Sequence, residues 1–207
     1  EELQLGSRVA TPRIERIFGN EELSDFEIKL LAYLIAEGHT KGSWVLFSNN
    51  DKSLVNELKN CVYKFDKNMK VDLHSKKGCY RLANKDNRYG FKKNKIKEWL
   101  KNLGLYGLYA TEKYIPEEIF KLNNKRLSLF LNRLFSCDGS IYFNGNRNGW
   151  EIDYSSSSKK LIAGVQHLLL RFGILSRLRE KNIKYNDGIR KSYELVIGSE
   201  NIQKFIA

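Results

Sequence analysis

The sequence of 207 residues predicts an α+β fold in which two units of the same kind are related by a pseudo-twofold axis. Three observations lead to this prediction. Apolar stretches with helical spacing alternate with pairs of β-branched and aromatic runs. The order helix, two strands, helix, two strands, helix occurs twice, about 100 residues apart. An apolar fraction of 42% with only two prolines permits a packed core. The predicted domains are residues 23–110 and 111–207, after an extended segment of residues 1–22.

The first predicted unit begins with a helix that Ser24 caps, supported by Glu27 three residues later, and that continues as an apolar run to Ala36. A short hairpin follows over residues 40–49, where aromatic and β-branched residues come after a Lys-Gly turn. Helical spacing returns over residues 51–65. The remaining elements are two strands, residues 69–76 and 79–83, and a basic helix, residues 93–103.

The second predicted unit repeats this order after a linker in which Pro116 starts a helix. Turns with Asn, Asp and Gly separate the strands of both of its hairpins. Its predicted elements are a helix over residues 126–137, strands 140–144 and 150–156, a helix from Ser157 or Ser158 to Phe172, strands 174–185 and 189–198, and a helix over residues 200–207.

The charge balance predicts an acidic partner, because 36 Lys and Arg residues against 24 Asp and Glu residues give a net charge of +12. The apolar fraction excludes a disordered basic tail. Since no apolar run reaches the roughly 18 residues that a membrane span needs, no membrane partner is expected. Three cysteines without C-x-x-C spacing predict neither disulfides nor a zinc site. Without a secretory pattern, the expected location is the cytoplasm.

Each unit carries one acid at the end of its first helix, directly before a glycine: Glu37-Gly38 in LLAYLIAEG and Asp138-Gly139 in LNRLFSCDG. A carboxylate at the negative end of a helix dipole is unfavourable unless a cation compensates it. If the two helices pack side by side, both acids emerge at the same end. Their oxygen atoms suit hard Mg²⁺ ions that are shared with phosphate oxygens. This arrangement predicts cleavage of phosphodiester bonds.

These two nonapeptides resemble the paired motifs of the LAGLIDADG homing endonucleases, and the resemblance extends to the element order of both units. It implies a β saddle that binds DNA, with Glu37 and Asp138 as metal-binding acids, Gly38 and Gly139 in the metal site, and Mg²⁺ as the cofactor, for which Mn²⁺ substitutes. It also implies small residues between the two first helices. The bulky Arg133 departs from that pattern, and Glu37 is longer than the aspartate that the family commonly has.

The resemblance also places a basic residue near each cut, after the fourth strand of a unit. Lys92 or Lys93, in GFKKNK, lies at that place in the first unit, where it would stabilise negative charge or tune a water molecule. An alternative interpretation of these two lysines is a pair of solvated residues at a helix start. The corresponding stretch of the second unit, IGSENIQK, offers no lysine before Lys204.

Two-stranded ribbons fit the major groove, so the polar and basic residues of the four hairpins are the predicted DNA contacts. These are Lys41, Ser43, Arg81, Asn144, Arg147, Tyr154, Arg177, Arg179, Lys181, Lys184, Arg190 and Lys191. The expected partner is a long double-stranded site that is only partly palindromic, because the two units differ in sequence. A monomer is the expected binding form.

The leader EELQLGSRVATPR resembles the end of the amino-terminal splicing half of an intein, which predicts that the chain is an endonuclease domain excised from one. It lacks a starting nucleophile and a terminal His-Asn pair, so splicing is expected only of the parent polypeptide. The leading hypothesis is a site-specific double-strand DNA endonuclease. The alternative is the same fold without catalysis, as a decayed DNA-binding module or a maturase-like cofactor of RNA splicing.

Overall fold

The computed structural model describes residues 16–74, 78–86, 93–185 and 188–206, and these residues form two units of the same element order. The first unit contains α1 (Asp25–Ala36), β1 (Gly38–His39), β2 (Val45–Ser48), α2 (Lys52–Phe65), β3 (Met69–Leu73), β4 (Cys79–Asn84) and α3 (Lys95–Asn102). A short helix, α4 (Glu117–Phe120), lies in the linker. The second unit contains α5 (Asn124–Asp138), β5 (Gly139–Asn144), β6 (Gly149–Ser156), α6 (Lys159–Arg171), β7 (Ser176–Tyr185), β8 (Gly188–Ile197) and α7 (Ser199–Ile206).

Each unit builds one four-stranded antiparallel sheet, with the strand orders β1-β2-β4-β3 and β5-β6-β8-β7. The two orders are equivalent, and so is the register. Gly38 pairs with Phe47 in the first unit, and Gly139 pairs with Tyr154 in the second. The predicted α+β fold with two duplicated units is therefore confirmed.

The two units meet through α1 and α5, and α1 also packs against α2. Seven of the twelve residues of α1 are buried, which is typical of a helix inside a core. Its amino end is capped as predicted, since the backbone N–H of Ser24 donates to the Glu27 carboxylate at 2.9 Å. The carboxyl end of α1 consequently lies at the junction of the two units.

The observed elements differ from the predicted ones mainly at their ends. Strand β1 is only two residues long and lies before the predicted first hairpin, so residues 40–44 of that hairpin are a loop and only β2 falls within it. Helix α5 includes Asp138 as its last residue. The predicted leader up to residue 15, residues 75 and 76 of the predicted third strand, and the turn residues Lys77, Asn186 and Asp187 lie outside the described part of the chain.

Strand alternation assigns every sheet residue to one of two faces. In the second sheet, Ile152, Tyr154, Leu195 and Ile197 point to the helices and are buried in the core. In the first sheet, Val45, Phe47 and Leu82 do the same. We call the opposite face of each sheet its open face. Within the described residues, no helix has the length and apolarity needed to cross a bilayer.

Candidate active site

Glu37 and Asp138 occupy equivalent places, where the first helix of each unit passes into its first strand. The backbone N–H of Glu37 caps α1 by donating to the Tyr33 carbonyl at 2.9 Å. Both acids are half-buried. Burial raises the pKa of both carboxyl groups, and the nearby charge of Asp138 raises the pKa of Glu37 further. The structure thus brings together the two acids that the sequence singles out.

Gly38 and Gly139 allow the chain to turn sharply from helix to strand beside each acid. A Cβ atom on Gly38 would lie 2.2 Å from the Leu34 carbonyl oxygen, and one on Gly139 would lie 2.5 Å from the Phe135 carbonyl oxygen. Both contacts are shorter than atoms permit, so any side chain would force the backbone to move. Sterics therefore explain these glycines, and their predicted part in a metal site stays a prediction.

Lys113, in the linker between the units, supplies a positive charge beside both acids. Its ammonium donates to the carbonyl oxygens of Ile35 at 2.8 Å and Ala36 at 3.1 Å. Since the last turn of α1 has no basic residue of its own, Lys113 compensates the negative end of this helix. Burial lowers the pKa of Lys113 to about 8, against the opposing effect of the Asp138 and Glu37 carboxylates.

The second unit holds the backbone of Lys113 in place. Ser158 is fully buried at the N-cap of α6, and its hydroxyl donates to the Lys113 carbonyl oxygen at 2.5 Å. The same Ser158 oxygen accepts from the backbone N–H of Leu161 at 3.1 Å. Lys113 is thus tied to α1 through its ammonium and to α6 through its carbonyl.

The two acids have different polar neighbours. The Asn49 side chain donates to Glu37 Oε1 at 3.4 Å. Tyr154 is fully buried near Asp138. Its hydroxyl lowers the pKa of Asp138, but the burial of Asp138 raises that pKa by more. Burial and the Asp138 charge raise the pKa of Tyr154 well above its usual value. Phe47 takes the equivalent position beside Glu37, so the two halves of the site are chemically unequal.

The structure places Lys93 away from the acids. Strand β4 begins at Cys79, beside the end of β2 that adjoins Glu37. At its other end, the Asn84 side chain donates to the Lys93 carbonyl at 3.3 Å. Five residues of strand separate these ends by about 17 Å. Lys93 therefore does not lie beside the acids, where the nearby cation comes from the linker instead, and its part in cleavage stays a prediction. Lys92 lies outside the described residues.

Three predicted DNA contacts converge on one buried carboxylate of the second open face. Glu151 is 2% exposed, and it accepts from Arg177 at 2.6 Å, from Asn144 at 2.9 Å and from Arg147 at 3.4 Å. The hydroxyl of Tyr142 donates to it at 3.0 Å. These contacts place cationic side chains side by side on the sheet face away from the helices.

Further along the same face, Glu194 holds a second pair of predicted contacts. This carboxylate is 3% exposed, forms an ion pair with Lys181 and lies 3.7 Å from Arg179. Register places Arg190 on this face as well. The second open face is therefore strongly cationic, although buried carboxylates lie beneath the cations.

In the described part of the first unit, none of the predicted DNA contacts is held by a buried carboxylate. Arg81 lies on the open face, with its guanidinium 4.7 Å from the ring centre of Trp44. Lys41 and Ser43 belong to the exposed loop after β1. The ammonium of Lys41 lies 3.1 Å from the ring centre of Tyr109.

Tyr154, Lys184 and Lys191 do not lie on an open face, which corrects their predicted DNA contacts. Tyr154 is fully buried among the helices. Register assigns Lys184 and Lys191 to the other face of β7 and β8, where Lys191 pairs with Glu180 at 2.6 Å. The physical reason is the period of two along a strand, which sends neighbouring residues to opposite faces.

Sequence reasoning missed Lys113, Asn49 and Glu151. Lys113 lies in the linker and Asn49 directly after β2. Neither belongs to a sequence motif or a periodic pattern that would mark it as a site residue. The alternation of β6 would have assigned Glu151 to the same face as Asp153. That signal was available, whereas the contacts of Lys113 come from chain segments that are distant in sequence.

The carboxyl-terminal part of the chain, residues 126–207, matches the model of the LAGLIDADG-like domain. The chain is 31% identical over 218 residues to the replicative DNA helicase DnaB of Synechocystis sp., with all of this chain and 24% of that protein aligned. It is 31% identical over 209 residues to the replication factor C small subunit of Methanocaldococcus jannaschii, again over its whole length and over 10% of that protein. The chain thus spans a quarter or less of these relatives.

Among solved structures, the homing endonuclease I-DmoI in complex with DNA and Mn is similar, with a TM-score of 0.58 and 15% sequence identity. The similarity covers 88% of this chain and 94% of that one. Other structures of I-DmoI contain Ca or were obtained in the presence of Mg. The fold of this chain is the LAGLIDADG fold, as its sequence predicts.

Proposed function

We propose that this chain is a site-specific homing endonuclease that cleaves both strands of DNA, with Glu37 and Asp138 as its metal-binding acids. The observation that carries the proposal is the pair of half-buried acids at the equivalent ends of α1 and α5. Burial is the main cause of the raised pKa of both acids, and a divalent cation beside them would offset the cost of their buried charge. The LAGLIDADG fold and the cationic open faces support the proposal.

The donor set fits a hard divalent cation, which we propose to be Mg²⁺ with Mn²⁺ as a substitute. Within the described residues, no three side chains of His, Cys, Asp or Glu converge on one point. Glu37 and Asp138 would therefore hold the ion together with oxygen atoms of the scissile phosphates and of water, next to Gly38 and Gly139. Bound there, the ion supplies positive charge to the phosphate and lowers the pKa of the attacking water.

The surrounding residues have separate roles in this proposal. Asn49 orients the Glu37 carboxylate through its hydrogen bond, and Tyr154 keeps Asp138 in an apolar wall that limits water. Lys113 keeps a cation close to both acids, where it stabilises negative charge that develops on the phosphate. We therefore assign to Lys113 the role that the sequence suggests for Lys92 or Lys93.

The two units of one chain would bind the two halves of a long site as a monomer. The halves of the site would differ, because the open faces carry different side chains. Cations on both faces would contact phosphates and base edges. The target is therefore expected to be only partly palindromic.

We also propose that the chain is the endonuclease domain of an intein. All of this chain matches small parts of proteins with unrelated names, a helicase and a replication factor C subunit. A segment that moves between host genes would produce this pattern. The test is to sequence the parent gene and to measure the mass of its mature product. Flanking host sequence and a product without this segment would support the proposal, whereas a product that retains it would contradict it.

The test of the proposed activity is a cleavage assay on plasmids that carry the uninterrupted host gene or a randomised target library, in Mg²⁺ or EDTA. Metal-dependent double-strand cuts are expected from the wild-type protein. Glu37→Gln and Asp138→Asn are expected to abolish these cuts or reduce them to nicks. Glu180→Gln, on the other face of the second sheet, is the matched control. Specific binding without cleavage of a verified site would instead establish a decayed binding module.

A further inference from the structure

The open face of the second sheet contains a carboxylate that the cleavage chemistry does not use. Glu151 is 2% exposed, and its two oxygens accept from Tyr142, Asn144, Arg147 and Arg177 at 2.6 to 3.4 Å. A buried carboxylate is costly unless its hydrogen bonds are satisfied, and here they are. The hydrogen bond from Asn144, followed by those from Tyr142 and Arg147, holds the pKa of Glu151 below its usual range.

The two arginines that contact Glu151 remain accessible to a ligand. The side chains of Arg177 and Arg147 are 45% and 46% exposed, whereas that of Glu151 is 3% exposed. Each guanidinium has five N–H donors in a fixed plane, so one contact to Glu151 leaves donors for a second partner. An arginine held in this way has already lost part of its rotamer freedom, which lowers the cost of ordering it on binding.

The first sheet has no equivalent arrangement in the part of the chain that the structure describes. Among the described residues of the chain, the buried carboxylates are those of Glu151 and Glu194, and both lie on the open face of the second sheet. On the first open face, Arg81 lies 3.8 Å from Asp72, whose side chain is 33% exposed. The second unit thus holds its arginines more firmly than the first unit does.

We propose that Glu151 is a positioning residue for base readout, which aims Arg177 and Arg147 at guanine edges in the half-site that the second unit binds. Arginine matches the O6 and N7 acceptors of guanine with two parallel N–H donors. Glu151 fixes these N–H donors before DNA binds. The half-site that the second sheet binds should therefore contain guanine, and the protein should tolerate fewer base changes there than in the other half-site. This inference rests on the proposed function and adds to it the base class and the half of the target.

The experiment is a binding selection from a DNA library in which both half-sites are partly randomised, with the full chain in Ca²⁺ so that cleavage does not deplete the pool. Positions whose preference changes in Arg81→Ala identify the half bound by the first unit. Wild-type protein is expected to select guanine in the other half. Glu151→Gln is expected to reduce this preference by roughly tenfold or more, and to leave the first half unchanged. Glu180→Gln, which removes a carboxylate from the other face of the same sheet, is expected to select the wild-type sequences.

Three results separate the possible failures. If the wild-type protein selects no sequence, the proposed function fails and this inference fails with it. If it selects a sequence whose second half lacks guanine, or if Glu151→Gln keeps the wild-type profile, only this inference is overturned. An equal loss in both halves would indicate a purely structural role and would overturn it as well. Should Glu151→Gln fail to fold by circular dichroism, Arg177→Lys replaces it, because it keeps the charge and removes the planar fork. Retained guanine preference in that variant would overturn the inference.

Discussion

The buried negative charges of Glu37 and Asp138 lower the stability of the folded protein. Burial raises the pKa of both acids above the values of the unfolded chain. An acid with a raised folded-state pKa favours the folded state at low pH, and this contribution is lost as the pH rises through the folded pKa. At neutral pH, the two negative charges therefore destabilise the metal-free protein.

Removing either charge should stabilise the metal-free protein. Glu37→Gln and Asp138→Asn are expected to raise the Tm in EDTA at pH 7 by a few degrees, on the order of 2–4 °C for each kcal/mol gained. The gain should disappear near pH 3, where the acids of the wild-type protein are protonated. Thermal unfolding followed by circular dichroism measures the Tm at both pH values. Added Mg²⁺ should raise the Tm of the wild-type protein alone. A lower Tm for both variants at pH 7 would contradict this prediction.

Lys113 should contribute to the rate of cleavage more than to DNA affinity. Lys113→Met removes the cation that lies beside both acids, so we expect the single-turnover rate to fall by about 10²–10³-fold. Binding should change little, because this lysine is half-buried beside the acids rather than part of the open faces. Lys64→Met, an exposed lysine on α2, is the control and should cleave at the wild-type rate. Equal rates for the two variants would exclude the proposed role of Lys113.

At the scale of elements, one carboxylate joins three helices and explains the unusual Arg133. Glu57 on α2 accepts from Lys29 at 2.6 Å and from the Tyr33 hydroxyl, both on α1. The guanidinium of Arg133 on α5 lies 3.2 Å from the same carboxylate. The bulky cation therefore forms an ion pair beside the packed helices, instead of preventing their approach. The two units are linked by charge as well as by apolar packing.

This cluster predicts a pH-dependent stability. Burial alone would raise the pKa of Glu57, but its contacts with Lys29, Tyr33 and Arg133 hold it below its usual value. A lowered folded-state pKa gives stability that is present above the unfolded pKa and is lost as the pH falls through the folded value. Glu57→Gln should therefore cost about 1–3 kcal/mol at pH 7 and much less at pH 3.

Urea unfolding at both pH values measures this difference. Glu98→Gln is the matched control, since Glu98 forms a solvent-exposed pair with Lys101 at 2.9 Å and should contribute little to stability. A Glu57→Gln variant as stable as this control at pH 7 would show that the three helices are held by apolar contacts alone.

At the scale of the whole molecule, the net charge of +12 should make DNA binding strongly dependent on salt. If the protein neutralises about 6–10 phosphates, its affinity should fall by about 10³–10⁵-fold between 50 and 200 mM salt. Fluorescence anisotropy with a labelled duplex measures this slope. Glu151→Gln should leave the slope unchanged, because it alters base readout rather than phosphate contact. Affinity that is independent of salt would contradict binding through the cationic open faces.

Much of the fold could be predicted from the sequence, because its signals are local. The capping box at Ser24, the period of the apolar residues and the Gly-containing turns depend on neighbours within a few positions. The same is true of the acids, each of which ends a helix before a glycine. The faces of the strands were predictable in principle, but the DNA contacts were chosen by residue type, and this choice wrongly included Tyr154 and Lys191.

The sequence by itself determined the duplicated order of elements, the two acids and the cationic character of the chain. The tertiary structure alone decided which cation lies beside the acids and which side chains the carboxylates of the second sheet hold. Lys113 contacts Ala36 across 77 residues of chain, and Arg177 contacts Glu151 across 26. Such contacts are set by the packing of whole elements, and no local pattern encodes them, because the free energy that forms them comes from burial of the distant surfaces that meet.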